Sequence, residues 1–383
     1  MKRFLCLAAA LALLFGWFPA KAQAVELDVG GKSALLMDVA TGTVLYEKNA
    51  HEKLSPASVT KVMTMLLIME AIDSGKIGWD DAVTASEAAA SKGGSQIYLK
   101  VGETMSVTDM LKSIAVSSAN DCAAAMAEHI AGSESAFVDM MNRRAKELGM
   151  NDTNFVNCTG LDDGEAAENH KTSAHDIALM SRELLKNHPD IKKFTTIWMD
   201  TVRDGAFGLS NTNKLVRFYS GCTGLKTGFT SGAGYCLSAS AQRDGMELIA
   251  VVMGCETSKE RTAACKSMLD YGFANFAAVV PELTEEIRLP VVLGSQGTVK
   301  LIPEGALGLL VDKAQKNSVS TEFSVEESVT APVSKGQRLG TLTIKTGDKT
   351  LAQIPLVAES DVTRLSWWDL FLRVLRETAM AKE

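Results

Sequence analysis

Apolar positions change texture twice along the chain, and each texture predicts a different kind of structure. Over the first two-thirds, short apolar runs flank longer stretches with helical spacing. Ala34-Leu-Leu-Met37 and Thr43-Val-Leu-Tyr46 predict two strands joined by the turn Ala40-Thr-Gly42. Residues 58–72 contain neither Gly nor Pro and are apolar on nearly every side, which predicts a helix buried inside a domain. Ala, Met and Leu recur at helical spacing over 108–148, and 172–185 predicts another amphipathic helix. Residues 223–229, 235–242 and 247–253 predict strands, the last two meeting at Arg243-Asp-Gly245. Strands from both ends of this region enclose the helices, so the pattern predicts an α+β fold: one antiparallel sheet beside a helical cluster.

After Pro281 the runs become short and β-rich, at 287–293, 298–302, 308–311, 319–325, 338–344 and 351–357, split by Gly, Pro and charged turns. They predict a small all-β domain over 281–360. The tail, 364–383, puts Trp367, Leu370, Phe371, Val374 and Leu375 on one helical face and Asp369, Arg373, Arg376 and Glu377 elsewhere. Such a helix suits a bilayer surface, with docking on the protein's own body as the alternative.

The first 24 residues read as an address. Lys2 and Arg3 precede the apolar stretch 4–18, and Ala20-Lys-Ala22 or Ala22-Gln-Ala24 supplies a cleavage site, so a secretory signal peptide over 1–24 is predicted. The mixed helix-and-strand region then spans 25–278. The working place is extracytoplasmic, at the outer face of the cytoplasmic membrane.

At 383 residues and 46% apolar, the chain has material for two or three domains, which excludes disorder as its main state. Removing 1–24 leaves 36 basic against 46 acidic residues, a net of −10 without any basic block, which argues against nucleic acid as a partner. Six cysteines remain (Cys122, Cys158, Cys222, Cys236, Cys255, Cys265) with no C-x-x-C pattern. A hairpin turn near 230–234 would place Cys222 opposite about Gln242 and Cys236 opposite Gly228. Free buried thiols are expected.

Three short elements carry the candidate chemistry. Ser58-Val-Thr-Lys61 places a hydroxyl and an amine one helical turn apart, and a lysine whose pKa is lowered by burial can deprotonate a serine. Ser118-Ala-Asn120 falls between two helical stretches, where a loop can present a hydroxyl and an amide to a cleft. Lys226-Thr-Gly228 lies on a strand, with Gly allowing close approach of a ligand's backbone and Lys a fixed positive charge. Lys345-Thr-Gly347 repeats that tripeptide but falls in the β-rich region, away from the other two.

In this order the three elements are the set known from penicillin-binding proteins and β-lactamases. The chain resembles the low-molecular-mass penicillin-binding proteins that act as serine D-alanyl-D-alanine carboxypeptidases. The resemblance runs from signal peptide to tail and includes Pro56-Ala-Ser-Val-Thr-Lys61, Asn157-Cys-Thr-Gly-Leu-Asp162 and Gly224-Leu-Lys-Thr-Gly-Phe-Thr-Ser-Gly-Ala-Gly-Tyr235. It is strongest to the Gram-positive, sporulation-type branch.

The resemblance implies the following roles. Ser58 attacks the penultimate D-Ala carbonyl, and Lys61 takes its proton. The N–H groups of Ser58 and Phe229 hold the oxyanion. Ser118 relays a proton to the departing D-Ala, while Asn120 holds the substrate backbone and helps fix Lys61. Lys226 and Thr227 bind the terminal carboxylate, with Arg261 adding charge there. The implied partners are the peptidoglycan stem ending in D-Ala-D-Ala, β-lactam inhibitors and, through the tail, a membrane surface; no metal or cofactor is implied. Phe229 stands where other members carry His, which implies a changed substrate preference.

Two other readings compete. A class A β-lactamase needs a deacylating Glu between the second and third elements, where Glu165 and Glu168 lie, though Asp162-Asp-Gly-Glu-Ala-Ala does not resemble its loop. A catalytically silent penicillin-sensing or wall-binding protein would keep the fold alone. The five histidines show no metal spacing, with His170 and Asp176 as candidates for shaping a cleft-side loop, and Asp80-Asp81 and Asp162-Asp163 read as solvated loops.

Overall fold

A computed structural model of the chain describes residues 27–380 apart from 163–164, 284 and 306. The predicted signal peptide over 1–24, and Asp163, lie outside the described residues.

Five strands form the central sheet: β1 (Ser33–Asp38), β2 (Val44–Lys48), β3 (Cys222–Thr230), β4 (Gly234–Arg243) and β5 (Met246–Cys255). They run antiparallel in the order β2-β1-β5-β4-β3, so the chain's early strands close onto its late ones. Leu36 faces Ala250 in that closing ladder, and β1 and most of β5 are buried. A strand buried on both faces reads as a continuous apolar run, which is why Leu248-Ile-Ala-Val-Val-Met253 shows no alternation.

One face of the sheet packs on the helical cluster: α1 (Lys61–Asp73), α2 (Val107–Ser117), α3 (Asn120–Ala131), α4 (Glu134–Glu147) and α5 (Ala174–Asn187). Ten of the thirteen α1 residues are buried. It runs through the middle of the cluster, and its sequence accordingly lacks a polar face. Ser106, Ser133 and Ser173 cap α2, α4 and α5, each accepting a backbone N–H three residues on. The helical texture over 108–148 is therefore three helices, broken at Ser118–Ala119 and again where Gly132 ends α3 at φ 82°. The other face of the sheet is covered by α6 (Ser258–Asn275) through Cys265, Met268 and Leu269.

Strand β6 (Phe276–Val279) leads out of α6 and pairs with β9 (Leu309–Asp312), joining the two parts of the chain. Beyond β6, the strands β7 (Ile287–Val292), β8 (Thr298–Pro303), β10 (Val319–Val325), β11 (Val329–Thr330), β12 (Arg338–Thr346) and β13 (Lys349–Ala358) form a sheet ordered β10-β12-β13-β8-β7-β11 with its own core around Leu301, Leu342, Ile344 and Leu356. The second Lys-Thr-Gly sits at its β12–β13 turn, where Gly347 takes φ 54° and Lys345 pairs with Glu322. Helix α7 (Trp367–Met380) ends the described chain. Its apolar side chains are exposed, Trp367 by 69%.

The six cysteines among the described residues are free, five of them buried. Cys236 faces Gly228 across β3–β4, while Cys222 faces Ala241, one residue from the expected Gln242 because the register shifts between Cys222 and Gly224. Burial pushes the Cys222 and Cys236 thiols up to about 11 and Cys255 to about 12, so they stay protonated at neutral pH.

Candidate active site

Ser58 is not on the buried α-helix but on the 3-10 turn Ala57–Thr60 that leads into it. In a 3-10 turn residues i and i+3 eclipse, which brings Ser58 and Lys61 together more directly than α geometry would. Lys61 Nζ donates to Ser58 Oγ at 3.0 Å and to the carbonyl of Thr159 at 2.7 Å. Lys61 is fully buried. Desolvation pushes its pKa down to about 7, outweighing the opposing fields of Cys158 and Asp121. The amine is thus held on the hydroxyl and available in its neutral form near neutral pH.

The turn is backed by two glycines. A Cβ at Gly160 would fall 1.8 Å from the Ala57 carbonyl oxygen, and one at Gly228 would fall 2.6 Å from Pro56 O and 3.1 Å from Ser58 N. At Gly228 the close neighbour on the Cβ side is the turn bearing Ser58. Gly160 is also held by Asn157 Oδ1, which accepts its N–H at 2.7 Å.

Ser118 ends α2 in the left-handed region, φ 65°, and is almost fully buried. Asn120 starts α3; its Nδ2 donates to Gly93 O at 2.7 Å, and its buried Oδ1 has no partner. Lys61 is therefore braced by Thr159 O, where Asn120 was expected. Asp121 accepts the N–H groups of Ile97 and Leu99, and Asn120 N donates to Ser95 O, so the loop around 93–99 is fastened over the start of α3.

On β3, Lys226 is buried with its Nζ 3.1 Å from Thr227 O, and burial, followed by the fields of Lys61 and Arg261, holds its pKa well below the usual lysine value. Thr227 Oγ1 donates to Thr212 Oγ1 at 2.6 Å, and Thr212 N donates to Val116 O, tying β3 to the end of α2. Phe229 is 53% exposed with its ring 4.2 Å from that of Tyr235. Arg261 differs from expectation. It lies behind β3 and β4 with Nη1 donating to Gly228 O and Cys236 O, its guanidinium 5.3 Å from the Tyr235 ring, and it is only 8% exposed.

Sequence reasoning missed Thr159, Thr212 and Asp121, which act through a backbone carbonyl, a hydroxyl and a carboxylate with no motif of their own. His170 is buried beneath the turn and Asp176 accepts Asp152 N and Thr153 Oγ1. Glu168 is exposed on the 3-10 turn Glu165–Asn169. Elsewhere, Glu70, Glu183 and His188 bring ligand atoms within 4.8 Å, but Arg144 Nε and Nη2 already bind the two carboxylates and His188 binds Asp73.

With a serine, a buried lysine and a strand Lys-Thr-Gly meeting at one turn, comparison with known proteins is decisive. Residues 20–257 match the D-alanyl-D-alanine carboxypeptidase family, and 285–364 match the C-terminal domain of penicillin-binding protein 5. The chain belongs to the D-alanyl-D-alanine carboxypeptidase family. It is a serine hydrolase of the carboxypeptidase class. Within the family it is 45% identical to the D-alanyl-D-alanine carboxypeptidase DacF of Bacillus subtilis over 92% of this chain and 90% of that one. Identity to DacC of Escherichia coli is 35%, over 93% and 91%. Penicillin-binding protein 5 from Haemophilus influenzae superposes with a TM-score of 0.76 at 32% identity, covering 88% of this chain and 98% of that one. Penicillin-binding protein D2 from Listeria monocytogenes in its ampicillin-bound form superposes at 0.57 and 32%, over 64% and 99%.

Proposed function

We propose that this carboxypeptidase removes the terminal D-alanine from peptidoglycan pentapeptide stems through an acyl-enzyme on Ser58, and that penicillins acylate the same serine. The observation that carries this reading is the 3.0 Å contact between fully buried Lys61 and Ser58 Oγ. Neutral Lys61 takes the hydroxyl proton as Oγ attacks the penultimate D-Ala carbonyl. The N–H groups of Ser58 and Phe229 stabilise the oxyanion, and Ser118 passes a proton to the leaving amine. Water then hydrolyses the ester. The unpartnered Oδ1 of Asn120 is a ready acceptor for a substrate N–H. Lys226 and Thr227 take the terminal carboxylate. Arg261 supports this end of the cleft from behind the strand, through the Gly228 carbonyl.

The finer assignments belong to the same proposal. The chain is exported by a signal peptide over 1–24, carries its chemistry on 25–278 and a β domain on 281–360, and attaches to the outer face of the cytoplasmic membrane through 364–383. Among the described residues no helix is long and apolar enough to cross a membrane. Attachment at the surface through the exposed apolar face of α7 fits that fact. The ampicillin-bound relative supports β-lactams as inhibitors.

The test is D-alanine release from a stem pentapeptide ending in D-Ala-D-Ala, comparing the protein with Ser58→Ala. Release that depends on Ser58 is the expected result. No release from folded, unmutated protein overturns the proposal.

A further inference from the structure

A buried hydrogen-bond chain runs from the loop before α5 to the peptide unit that bears the Ser58 N–H. His170 lies on a short segment laced between Leu54 and Asn154: Thr172 bridges Leu54, and Lys171 bridges Asn154. This brings the imidazole under the Ser58 turn, only 3% exposed and edge-on to the Phe155 ring. Val156 N donates to His170 Nδ1 at 3.2 Å, so the proton of the neutral ring is on Nε2. Nε2 therefore donates to Thr60 Oγ1 at 2.8 Å, and that hydroxyl spends its own proton on Ala57 O at 2.8 Å. Every donor and acceptor in the chain has one consistent direction.

The end of the chain is what gives it chemical meaning. The Ala57 carbonyl and the Ser58 N–H belong to the same planar trans peptide, so they point in opposite directions. Fixing one aims the other. Ala57 holds φ at 48°, a left-handed conformation that alanine enters only when its surroundings enforce it. We propose that His170 is a positioning residue which, through Thr60 and the Ala57 carbonyl, aims the Ser58 N–H into the oxyanion site. This rests on the reading of Ser58 as the nucleophile.

The experiment measures acylation by a fluorescent penicillin, and decay of the adduct, for the unmutated protein and for Thr60→Val, Thr60→Ser and His170→Leu. Valine keeps the volume of threonine and removes the relay; serine keeps the relay. The oxyanion donor serves both acylation and deacylation, so Thr60→Val and His170→Leu are expected to slow both by about ten- to a hundredfold, less than the loss of a donor outright. The saturation constant for penicillin and the pH midpoint of acylation, set by Lys61, stay where they were. Thr60→Ser restores both rates to within about threefold, and adding His170→Leu to Thr60→Val costs far less than the product of the single effects. Thermal melts establish that each variant compared is folded. Unmutated rates in folded Thr60→Val, or Thr60→Ser as slow as Thr60→Val, overturn the proposal. Failure of the unmutated protein to be labelled at all overturns the nucleophile reading as well, which separates the two.

Discussion

Lys61 Nζ and the carbonyl of Thr159 are 2.7 Å apart, and this contact holds the amine on Ser58 from the far side of the cleft wall. A buried ammonium with a carbonyl and a hydroxyl for company loses hydration that two hydrogen bonds only partly replace, and its proton is correspondingly easy to remove. Acylation needs the neutral amine. Its rate is therefore expected to rise with pH through a midpoint near 7, the value to which burial brings Lys61. A pH profile of penicillin acylation checks this; a flat profile from pH 5 to 9 would remove Lys61 as the base.

Lys226 faces the opposite demand. Burial and two neighbouring cations disfavour its charge in the free protein, while a substrate carboxylate favours it. Binding of a D-Ala-D-Ala peptide to Ser58→Ala is expected to be accompanied by net proton uptake at neutral pH. Calorimetry in two buffers of different ionisation heat reads this directly, and heats independent of buffer would show that Lys226 is already charged before substrate arrives.

Gly160→Ala tests the backing of the nucleophile turn. Its Cβ would overlap the Ala57 carbonyl oxygen, and φ of 79° disfavours alanine there in any case. Penicillin acylation is expected to fall by at least about tenfold, with stability lowered by about 1–3 kcal/mol. Chemical denaturation alongside acylation kinetics measures both, and an alanine variant with unmutated kinetics would show that the turn can shift without penalty.

His170 also predicts an acid limit to stability. Burial, then the fields of Lys171 and Lys61, lowers its pKa to about 4, whereas the unfolded chain binds the proton near 6.5. Folded pKa below unfolded pKa means that the unfolded state carries more protons in this window, so stability falls as pH drops from about 6.5 to 4. The full effect is on the order of 3 kcal/mol. Melting temperature against pH should show this slope, and His170→Gln, which cannot titrate, should flatten it.

Deleting 366–383 is expected to release the protein from anionic lipid vesicles without reducing D-alanine release. Trp367 and Phe371 stack on the exposed face of α7, 5.6 Å between ring centroids, the kind of aromatic edge that settles at a lipid interface. Sedimentation with vesicles measures attachment, and a truncated form that still sediments places the attachment elsewhere.

Much of this was legible in the sequence because it depends on local pattern. The unbroken apolar surface of α1, the short β-rich runs after Pro281 and the three short elements all follow from residue type and spacing. What escaped depends on distant backbone. Thr159 contributes a carbonyl, which any residue has, and nothing in Asn157-Cys-Thr-Gly marks where that oxygen points. Ala57 adopts a glycine-like φ without being glycine, so the 3-10 entry to α1 left no trace in composition. Arg261 read as a cleft cation because charge is visible in sequence, whereas its burial behind β4 is set by the packing of α6 on the sheet. His170 read only as a candidate for shaping a cleft-side loop; its partners, Thr60 and Val156, come from two separate segments.

The pairing of β6 with β9 carries a mechanical corollary. Backbone ladders resist swivelling in a way that a flexible linker does not, and Lys313 adds a bond from the β region to the Phe273 carbonyl at the end of α6. In the attachment proposed for the tail, this ladder would make the β region a stiff pedestal. Its height would then select which layer of the wall the cleft can reach. Lengthening or shortening the pedestal would change the depth of wall that is trimmed while leaving the chemistry at Ser58 untouched.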